Sequence, residues 1–453
     1  MSELRICIDA RLVSGEAGGV EQVIIGLASA LSKLSDGQER YFFLTYGGSD
    51  DWLYPYIKSP CHILSGPPAL VGRTKGWLTK TIPWLPDVYD QLRCLYRPPT
   101  VHLEESDGTI ERARIDVMHF ALQSGFLTRV PSIYEPYDLQ HVHFPQFFRN
   151  SSRVRREERY RAFCAQAQVV VAMSAWTRTD LIRQYGLPPD KVAVVPGAPV
   201  LTAYATPGTD DLRSVAHRFN LPPAFVFYPA GSWPHKNHMG LLQALAILRE
   251  QHNLRVPLVC SGIQNAFFRE IKRKVRKLKL QNEVQFLGYV SPLEIACLYR
   301  LSRCVVFPSL FEGFGMPVVE AQLAGVPVAC SAVTCLPELV GDAAVIFDPQ
   351  KPQEIAVATL RMWREESLRR ALVESGRANV ARFSWERTAR IFRAHYRRLA
   401  NRRLAAEDRD LLEVSPTIQI PERATAAPSQ SRETLIISQD PGDGCIAPGV
   451  YNA

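Results

Sequence analysis

The sequence contains 453 residues, of which 46% are hydrophobic, and it carries a formal net charge of +8. A chain of this length and apolar content can bury two cores of ordinary domain size, so a single domain is not expected. The positive charge is compatible with anionic partners, but no known nucleic-acid-binding module accompanies it. No segment reaches the roughly 18 consecutive apolar residues of a membrane span, which argues against an integral membrane protein.

Cysteine usage and the first residues bear on the cellular compartment. The ten cysteines are scattered without a CxxC pair, and Cys7, Cys260 and Cys304 lie in apolar, strand-like runs. We interpret them as small buried hydrophobic residues in a reducing environment. The chain enters a strand directly, without the apolar stretch of a signal peptide. The expected location is the cytoplasm, and peripheral contact with the inner face of the membrane stays open.

The first elements are a strand, a glycine-rich turn and a helix. Residues 4–8 form a continuous apolar run, and a helical pattern over residues 20–34 follows Gly15, Gly18 and Gly19. The glycine spacing is not GxGxxG, so a nicotinamide cofactor is disfavoured. Gly18 and Gly19 at a helix start can still let a diphosphate approach the backbone closely, which makes both of them candidate substrate-binding residues.

Strands and helices then alternate through the first half of the chain. Apolar runs at residues 41–45, 117–120, 169–172 and 192–196 are predicted strands, and a helix is predicted over residues 175–185. This alternation is typical of an α/β fold with a parallel, doubly wound sheet. Residues 1–200 are therefore assigned to a first domain of this kind.

Residues 66–100 depart from this alternation. They contain Trp77, Trp84, Tyr89 and Tyr96, interleaved with arginines and lysines. Two interpretations stay open: an interfacial amphipathic element that reaches lipid-linked molecules, or a surface excursion packed by its own aromatic rings.

His119 is a candidate substrate-binding residue. It lies at the end of the predicted strand over residues 117–120, and catalytic groups of open α/β sheets collect at the carboxyl ends of strands. A single histidine is more often structural, and that alternative stays open.

A second domain repeats the plan of the first. Residues 201–223, rich in Pro, Ala, Thr and Asp, are the predicted linker, and residues 224–385 form the predicted second domain. Its first strand is followed by a loop containing Lys236 and by a helix over residues 239–249. Because the helix dipole disfavours a cation at a helix N-terminus, a bound anion is the better explanation for Lys236.

A dense basic cluster occupies residues 272–279. Its ordinary explanation is a solvated helix face. The functional alternative is attraction to acidic lipid headgroups or to an anionic glycan.

A glycine loop and a short helix are predicted after the apolar strand over residues 304–307. Gly313 and Gly315 flank Phe314, where the chain needs a positive φ or lets a ligand approach its backbone. Pro317 suits the first helical position. The first amides and the positive dipole end of this helix face the loop, which makes a site for phosphate or sugar oxygens.

Two glutamates bracket this loop. Glu312 precedes the helix, and Glu320 lies in its first turn or just after it. A carboxylate there would repel a diphosphate, so Glu320 is predicted to accept two hydrogen bonds from a sugar diol, as the acidic residue of dinucleotide sites does with ribose. Glu312 would lie nearer the reacting sugar. The alternative is an ordinary strand-turn-helix unit with both glutamates in solvent.

Glu312 and Glu320, placed around Gly-Phe-Gly-Met-Pro, resemble the paired-glutamate signature of retaining glycosyltransferases of family 4. The resemblance extends from the first strand to about Arg398. It implies the GT-B fold, in which two Rossmann-like, doubly wound domains face each other across a cleft. It also implies transfer of a sugar from a nucleotide sugar with retention at the anomeric carbon.

The resemblance assigns donor-side residues. In the family, the lysine that matches Lys236 contacts the donor diphosphate, and a glycine pair similar to Gly18 and Gly19 lies across the cleft from the phosphates. Many members place an arginine where this chain has Ser232, so the phosphate clamp is lighter here or completed from elsewhere.

Residues 131–145 resemble the stretch of the family that faces the acceptor. Asp138 and His141 match its pattern, whereas Tyr137 stands where the family has a histidine. Asp138 is the candidate catalytic residue of this stretch and His141 a candidate acceptor-binding residue.

The C-terminal part has a different composition. A basic helix over residues 386–402 is expected, by resemblance, to cross back onto the first domain, and residues 403–453 are predicted to be disordered. The triplet Asp408-Arg409-Asp410 lies at a charged helix end. We interpret it as solvated and expect neither a metal nor any cofactor besides the nucleotide-sugar substrate.

The resemblance, together with the site residues, implies a retaining, metal-independent glycosyltransferase. Its partners would be a nucleotide-sugar donor and a glycan or lipid-linked glycan acceptor, with no nucleic acid, in cell-surface polysaccharide or lipopolysaccharide synthesis. A hexosyl group, with mannose as one option, would be transferred. Two alternatives stay open: a catalytically silent nucleotide-sugar-binding partner in a polysaccharide assembly complex, and a nucleotide-sugar epimerase.

Overall fold

A computed structural model describes residues 3–13, 18–68, 101–203 and 206–413 of the chain. Within these ranges it contains two separate sheets, and neighbouring strands in both are parallel. The predicted α/β fold with two doubly wound domains is confirmed. The aromatic and basic residues from Trp77 to Tyr96 lie outside the described residues.

The first sheet has seven strands in the order β3-β2-β1-β4-β5-β6-β7. These are β1 Leu4–Asp9, β2 Glu39–Tyr46, β3 Cys61–Gly66, β4 Val117–Phe120, β5 Ser132–Tyr134, β6 Val169–Ala172 and β7 Val192–Val194.

The second sheet has six strands in the order β10-β9-β8-β11-β12-β13. These are β8 Val226–Pro229, β9 Leu258–Ser261, β10 Val284–Phe286, β11 Cys304–Phe307, β12 Val328–Ser331 and β13 Val345–Phe347.

Helices connect the strands of each sheet. In the first domain they are α1 Gly19–Leu31, α2 Thr109–Arg112, α3 Gln140–His143, α4 Asn150–Gln166 and α5 Ala175–Tyr185. After β7 they are α6 Thr209–Arg218, α7 His238–His252, α8 Phe268–Lys277, α9 Pro292–Leu301, α10 Met316–Leu323, α11 Leu336–Val340, α12 Pro352–Arg364, α13 Glu366–Val380, α14 Trp385–Leu399 and α15 Ala406–Glu413.

Central strands are buried along their whole length. All four residues of β4, of β8 and of β11 are buried, because helices cover both faces of a doubly wound parallel sheet. Continuous apolar runs therefore predicted these strands well. The eight cysteines that the structure describes are free and buried, which confirms the interpretation of Cys7, Cys260 and Cys304.

Helix α14 packs on the first domain although it follows the second in sequence. The Trp385 ring lies so close to Gly26 of α1 that any side chain at Gly26 would overlap it. Farther along the helix, the Arg397 guanidinium pairs with Glu39 of β2 at 2.7 Å. The two domains are therefore joined by this helix as well as by the linker.

Two segments are more ordered than the sequence indicated. Helix α6 lies inside the predicted linker over residues 201–223, and α15 lies inside the segment predicted to be disordered. Asp408 of α15 is buried and pairs with Arg397 at 2.9 Å. The interpretation of Asp408 as solvated is therefore wrong, because the basic crossing helix supplies a buried partner.

Within the described ranges, no helix combines the length and the apolar character needed to cross a membrane.

Candidate active site

The strand order of the second sheet reverses between β8 and β11. In open α/β sheets the crevice outside the carboxyl ends of the strands at such a reversal is where ligands bind. The loop after β8 carries Lys236, and the loop after β11 carries Glu312. The topology therefore brings together two residues that are 76 positions apart in the chain.

Lys236 and Glu312 form a close ion pair in this crevice. The distance from Nζ of Lys236 to Oε1 of Glu312 is 2.6 Å, and the two side chains are 18% and 11% exposed. Buried charges need a partner, because removing an isolated charge from water is costly. Glu312 is therefore the partner of Lys236 in this structure. The ammonium group also lies 5.5 Å from the centre of the Phe307 ring.

Asn237 fixes the loop that carries Lys236. Its side-chain oxygen accepts a hydrogen bond from Gly240 at the start of α7, and its amide nitrogen donates to the carbonyls of Pro308 and Pro349. The sequence reasoning missed this residue, although an asparagine before a helix is a common N-cap. Asn237 thus ties the lysine loop directly to the strand end that leads to Glu312.

The backbone after Glu312 follows the predicted glycine loop. Gly315 precedes α10 with a φ of +97°, a conformation that strongly favours glycine. Pro317 lies in the first turn of α10. Phe314 is buried, with its ring packed edge-on against Phe383. It contributes its backbone to the loop, while its side chain packs between elements.

Glu320 lies on α10 and is almost entirely buried, with 7% of its surface exposed. The Tyr299 hydroxyl donates a hydrogen bond of 2.8 Å to its Oε2 atom. Burial raises the pKa of Glu320 to about 7, and the hydrogen bond from Tyr299 opposes this shift. Neither glutamate of the pair is in solvent, so the ordinary surface-loop interpretation is wrong.

Thr334 and Cys335 hold the backbone of the loop between β11 and α10, residues 308–315, which we call the glutamate loop. The amide of Glu312 donates to the Thr334 hydroxyl at 3.3 Å, and the Cys335 thiol lies 3.3 Å from the Glu312 carbonyl and 3.2 Å from the Phe314 carbonyl. Thr334 has a φ of +48°, which is a rare conformation for a β-branched residue. Such strained positions cluster at functional sites, but no short-range sequence signal points to these contacts.

The first domain meets the glutamate loop through Tyr137 and Asp138. Tyr137 has a φ of +65°, and its carbonyl packs so tightly on Gly313 that a side chain there would not fit. Its hydroxyl donates to the Ala121 carbonyl at 2.7 Å. The Tyr137 ring is thus anchored within the first domain, whereas Asp138 stays beside Gly313.

Gly18 and Gly19 lie at the start of α1, and nothing lies within 4 Å of a Cβ built on either residue. The pKa of Tyr289, after β10, is raised first by partial burial and then by the charge of Glu21 on α1. Among the described residues, a side chain at either glycine would meet no neighbouring atom, and the start of α1 lies within electrostatic range of Tyr289.

The two candidate histidines are both buried. His119 is fully buried, and its ring nitrogens are 2.7 Å from the Tyr396 hydroxyl and 2.7 Å from Glu135. His141 is also buried, with its Nε2 atom 2.9 Å from Glu157. Both rings are held by buried or half-buried partners, and their assignment to the acceptor side stays a prediction.

Ser232 takes a structural part in the donor-side loop. Its hydroxyl accepts a hydrogen bond from the amide of Asn265 at 2.9 Å and lies 3.2 Å from the Ile263 carbonyl. It joins two neighbouring loops of the crevice and supplies no positive charge there.

Two family models match this chain. The model described as Glycosyltransferase Family 4 matches residues 17–198, and the model described as Glycosyl transferases group 1 matches residues 211–379. The first match contains strands β2 to β7 of the first sheet, and the second contains all six strands of the second sheet.

Similar curated proteins include O-antigen chain mannosyltransferase B of Escherichia coli, which is 32% identical over 221 residues, or 49% of this chain. The chain spans 58% of that protein and 28% of a serotype-specific mannosyltransferase WbdA of Escherichia coli. A D-inositol 3-phosphate glycosyltransferase of Corynebacterium glutamicum is 29% identical over 58% of this chain and 65% of its own length.

Solved structures also resemble the fold. Anabaena Alr3699/HepE, solved in complex with UDP and glucose, aligns with a TM-score of 0.63 at 20% identity, over 87% of this chain and 99% of that one. WaaG, a glycosyltransferase involved in lipopolysaccharide biosynthesis, aligns with a TM-score of 0.57 at 14% identity, over 87% of this chain and 99% of that one.

The raised pKa of Glu320 predicts a pH-dependent stability. The stabilisation that this carboxyl provides in its protonated form is complete below its ordinary pKa of 4.5 and is lost as the pH rises through about 7. Relative to wild type, Glu320→Gln should therefore gain up to about 3 kcal/mol in free energy of unfolding between about pH 5 and pH 8. Urea denaturation at several pH values measures this difference.

A second variant checks the cause of the shift. Tyr299→Phe removes the hydroxyl that favours the ionised form, so the same transition should move to higher pH. A difference between wild type and Glu320→Gln that does not change with pH would contradict the burial of an ionisable carboxyl at this position.

Proposed function

We propose that this chain is a retaining glycosyltransferase. It belongs to the Glycosyltransferase Family 4 and Glycosyl transferases group 1 proteins, and it has their GT-B fold. It would move a hexosyl group from a nucleotide sugar, held by the second domain, to a hydroxyl of a glycan or lipid-linked glycan held by the first. The observation that carries this proposal is the buried Lys236–Glu312 ion pair at the reversal of the second sheet.

The diphosphate of the donor has a natural place beside Lys236. The ammonium group is already desolvated, so an incoming phosphate can replace Glu312 as its partner with little further loss of hydration. As the bond between the anomeric carbon and the diphosphate breaks, negative charge grows on the leaving oxygen. Lys236 and the amides near Gly19 and Gly315 would offset that charge in a site closed to water.

The displaced Glu312 carboxylate becomes free to accept hydrogen bonds from hydroxyls of the transferred sugar. Glu320 would accept from the ribose diol, with Oε1 as the approachable atom because Tyr299 holds Oε2. The new bond forms between the acceptor oxygen and the anomeric carbon on the face that the diphosphate leaves. The acceptor proton passes to the departing phosphate oxygen, so no covalent enzyme intermediate is needed.

Asp138 is the proposed acceptor-side residue. It lies beside Gly313 at the junction of the two domains, and its Oδ1 accepts a hydrogen bond of 2.9 Å from the amide of Gln140. Its position on the first domain next to the glutamate loop suits a group that orients an acceptor hydroxyl.

The substrate class follows from relatives and is part of the proposal. Curated relatives are named mannosyltransferases, including one named for the O-antigen chain, and similar structures hold UDP or UDP-glucose. We therefore propose a role in cell-surface polysaccharide or lipopolysaccharide synthesis, with mannose as the first sugar to test. Metal independence is also proposed, because Lys236 and the backbone amides would offset the charge of the leaving diphosphate.

Donor turnover with site variants tests the proposal. Lys236→Met and Glu312→Gln should each lower kcat for sugar transfer by about 100-fold or more, because each removes an interaction that strengthens as charge develops. A surface ion pair offers matched controls, since Lys33 and Glu386 lie 2.9 Å apart and are 61% and 50% exposed. Lys33→Met and Glu386→Gln should keep wild-type turnover.

The same assay examines the finer parts of the proposal. Turnover should persist in excess EDTA, and NMR of the product should show the anomeric configuration of the donor. Inverted product would contradict retention, and loss of turnover with EDTA would contradict metal independence. Wild-type protein that binds a sugar nucleotide but neither transfers nor hydrolyses it would favour the silent binding partner.

Peripheral contact with an anionic membrane is proposed for helix α8. Its buried face is formed by Ile271 and Val275, while the opposite face exposes Lys272, Arg276 and Lys277. Each such residue near an anionic surface adds about 1 kcal/mol of attraction. The protein should therefore sediment with phosphatidylglycerol vesicles at low salt and not with phosphatidylcholine vesicles.

Charge reversal at Lys272, Arg276 and Lys277 should abolish this sedimentation. Reversal of the exposed Arg155 and of Arg159 on α4 serves as the control. Equal binding by the α8 variant would place the contact elsewhere in the chain.

A further inference from the structure

A single short segment, residues 334–338, contacts both the glutamate loop and the first domain. Its beginning holds the loop, because the Thr334 hydroxyl accepts from the Glu312 amide and the Cys335 thiol contacts the Glu312 carbonyl. Its end carries Glu338, whose side chain reaches across the cleft. Thr334 and Cys335 directly precede α11, and Glu338 lies on it, so the two contacts belong to one short stretch of chain.

The Glu338 carboxylate caps a helix of the other domain. Oε1 accepts from the Ala175 amide at 2.8 Å, and Oε2 accepts from the Trp176 amide at 3.0 Å. These are the first two amides of α5, where the helix dipole also favours a negative charge. Glu338 is only 5% exposed, and burial raises its pKa while the two amide bonds oppose that shift.

A second contact between the domains uses the carbonyl of Gly313, directly after Glu312. The Ser174 and Thr177 hydroxyls of the first domain lie 3.1 and 3.0 Å from this oxygen. Ser174 is also the N-cap of α5, since its hydroxyl accepts from the Thr177 amide at 3.1 Å. The same helix end thus holds the glutamate loop by its backbone and receives Glu338.

These contacts exist only while the cleft is closed. If the domains separate, the Glu338 carboxylate, the first amides of α5 and the Gly313 carbonyl all lose their partners together. Substrates as large as a nucleotide sugar and a glycan need the cleft to open for entry and release. The contacts of Glu338 and of the Gly313 carbonyl with the first domain would therefore form and break together. Thr334, Cys335 and Gly313 connect the backbone of Glu312 to these contacts.

We propose that Glu338 is a positioning residue that couples closure of the two domains to the placement of Glu312 against the transferred sugar. The inference rests on the proposed function, because it assigns a purpose to closure in sugar transfer. In the open protein the glutamate loop would lack its hydrogen bonds from the Ser174 and Thr177 hydroxyls. On closure, capping of α5 by Glu338 brings the Ser174 and Thr177 hydroxyls onto Gly313 and sets the Glu312 backbone.

The test uses the full chain and the variant Glu338→Gln, which keeps the shape of the side chain but removes its charge and one acceptor. Hydrogen–deuterium exchange should rise in the peptides covering residues 172–181 and 310–318, on opposite sides of the cleft. The kcat for transfer should fall by more than about tenfold, the loss typical of a charged hydrogen bond, with donor KM changed by less than about threefold.

Glu294→Gln is the matched control. Glu294 is also a buried carboxylate of the second domain that caps a helix, but it accepts from the Ser291 amide of its own helix at 2.8 Å. This variant should leave exchange at both cleft peptides and kcat at wild-type values. Thr177→Val removes the hydroxyl that donates to the Gly313 carbonyl and leaves Glu338 unchanged. It should reproduce the exchange pattern and the loss of kcat. This variant replaces Glu338→Gln if that protein does not fold.

Exchange that rises only around residues 333–341, with kcat unchanged, would overturn the proposal and leave Glu338 a residue that stabilises its own domain. A loss carried by donor KM alone would also overturn it. The exchange measurement needs no substrate. If wild type turns over no sugar nucleotide, the proposed function fails, and the exchange data still decide whether Glu338 joins the domains.

Discussion

The interaction on which the rest of the site depends is the ion pair between Lys236 and Glu312. Two charges this deeply placed are stable together and costly apart, because desolvation of an unpaired charge exceeds most single interactions in a fold. The reversal of strand order brings the two loops together, and Asn237 fixes one loop to the strand end of the other. A bound ligand can therefore separate the two charges if it offers a new partner to each of them.

The surrounding structure controls when that separation occurs. The first domain contacts the glutamate loop through, among others, the backbone of Tyr137 and the hydroxyls of Ser174 and Thr177. It also binds Glu338 of α11 through the first amides of α5. Helix α14 packs on the first domain and keeps the domains linked outside the cleft. In the proposed mechanism the cleft opens while α14 keeps the two domains linked, and the glutamate loop regains its contacts with the first domain on closure.

Local features of the sequence predicted the fold and part of the site. Continuous apolar runs predicted the central strands, and Gly315 with Pro317 predicted the turn into α10. These are local structures that depend mainly on residues close together in the sequence. Partners distant in sequence could not be predicted. The sequence around His119 indicates no partner for its ring, yet one ring nitrogen is hydrogen-bonded to the hydroxyl of Tyr396, 277 residues later. Tyr299, Cys335 and the orientation of Tyr137 likewise depend on packing between elements.

Calorimetric titration of wild type and Glu320→Ala with UDP, GDP and ADP, with and without magnesium, tests the central claim most directly. The account predicts that one nucleoside diphosphate binds wild type without magnesium and that Glu320→Ala weakens it by about 1–3 kcal/mol, the loss expected for a charged hydrogen-bonding group. Glu294→Ala serves as the control and should bind as wild type does. Binding of no nucleotide, or equal binding by Glu320→Ala, would contradict the assignment of this cleft to a nucleotide sugar.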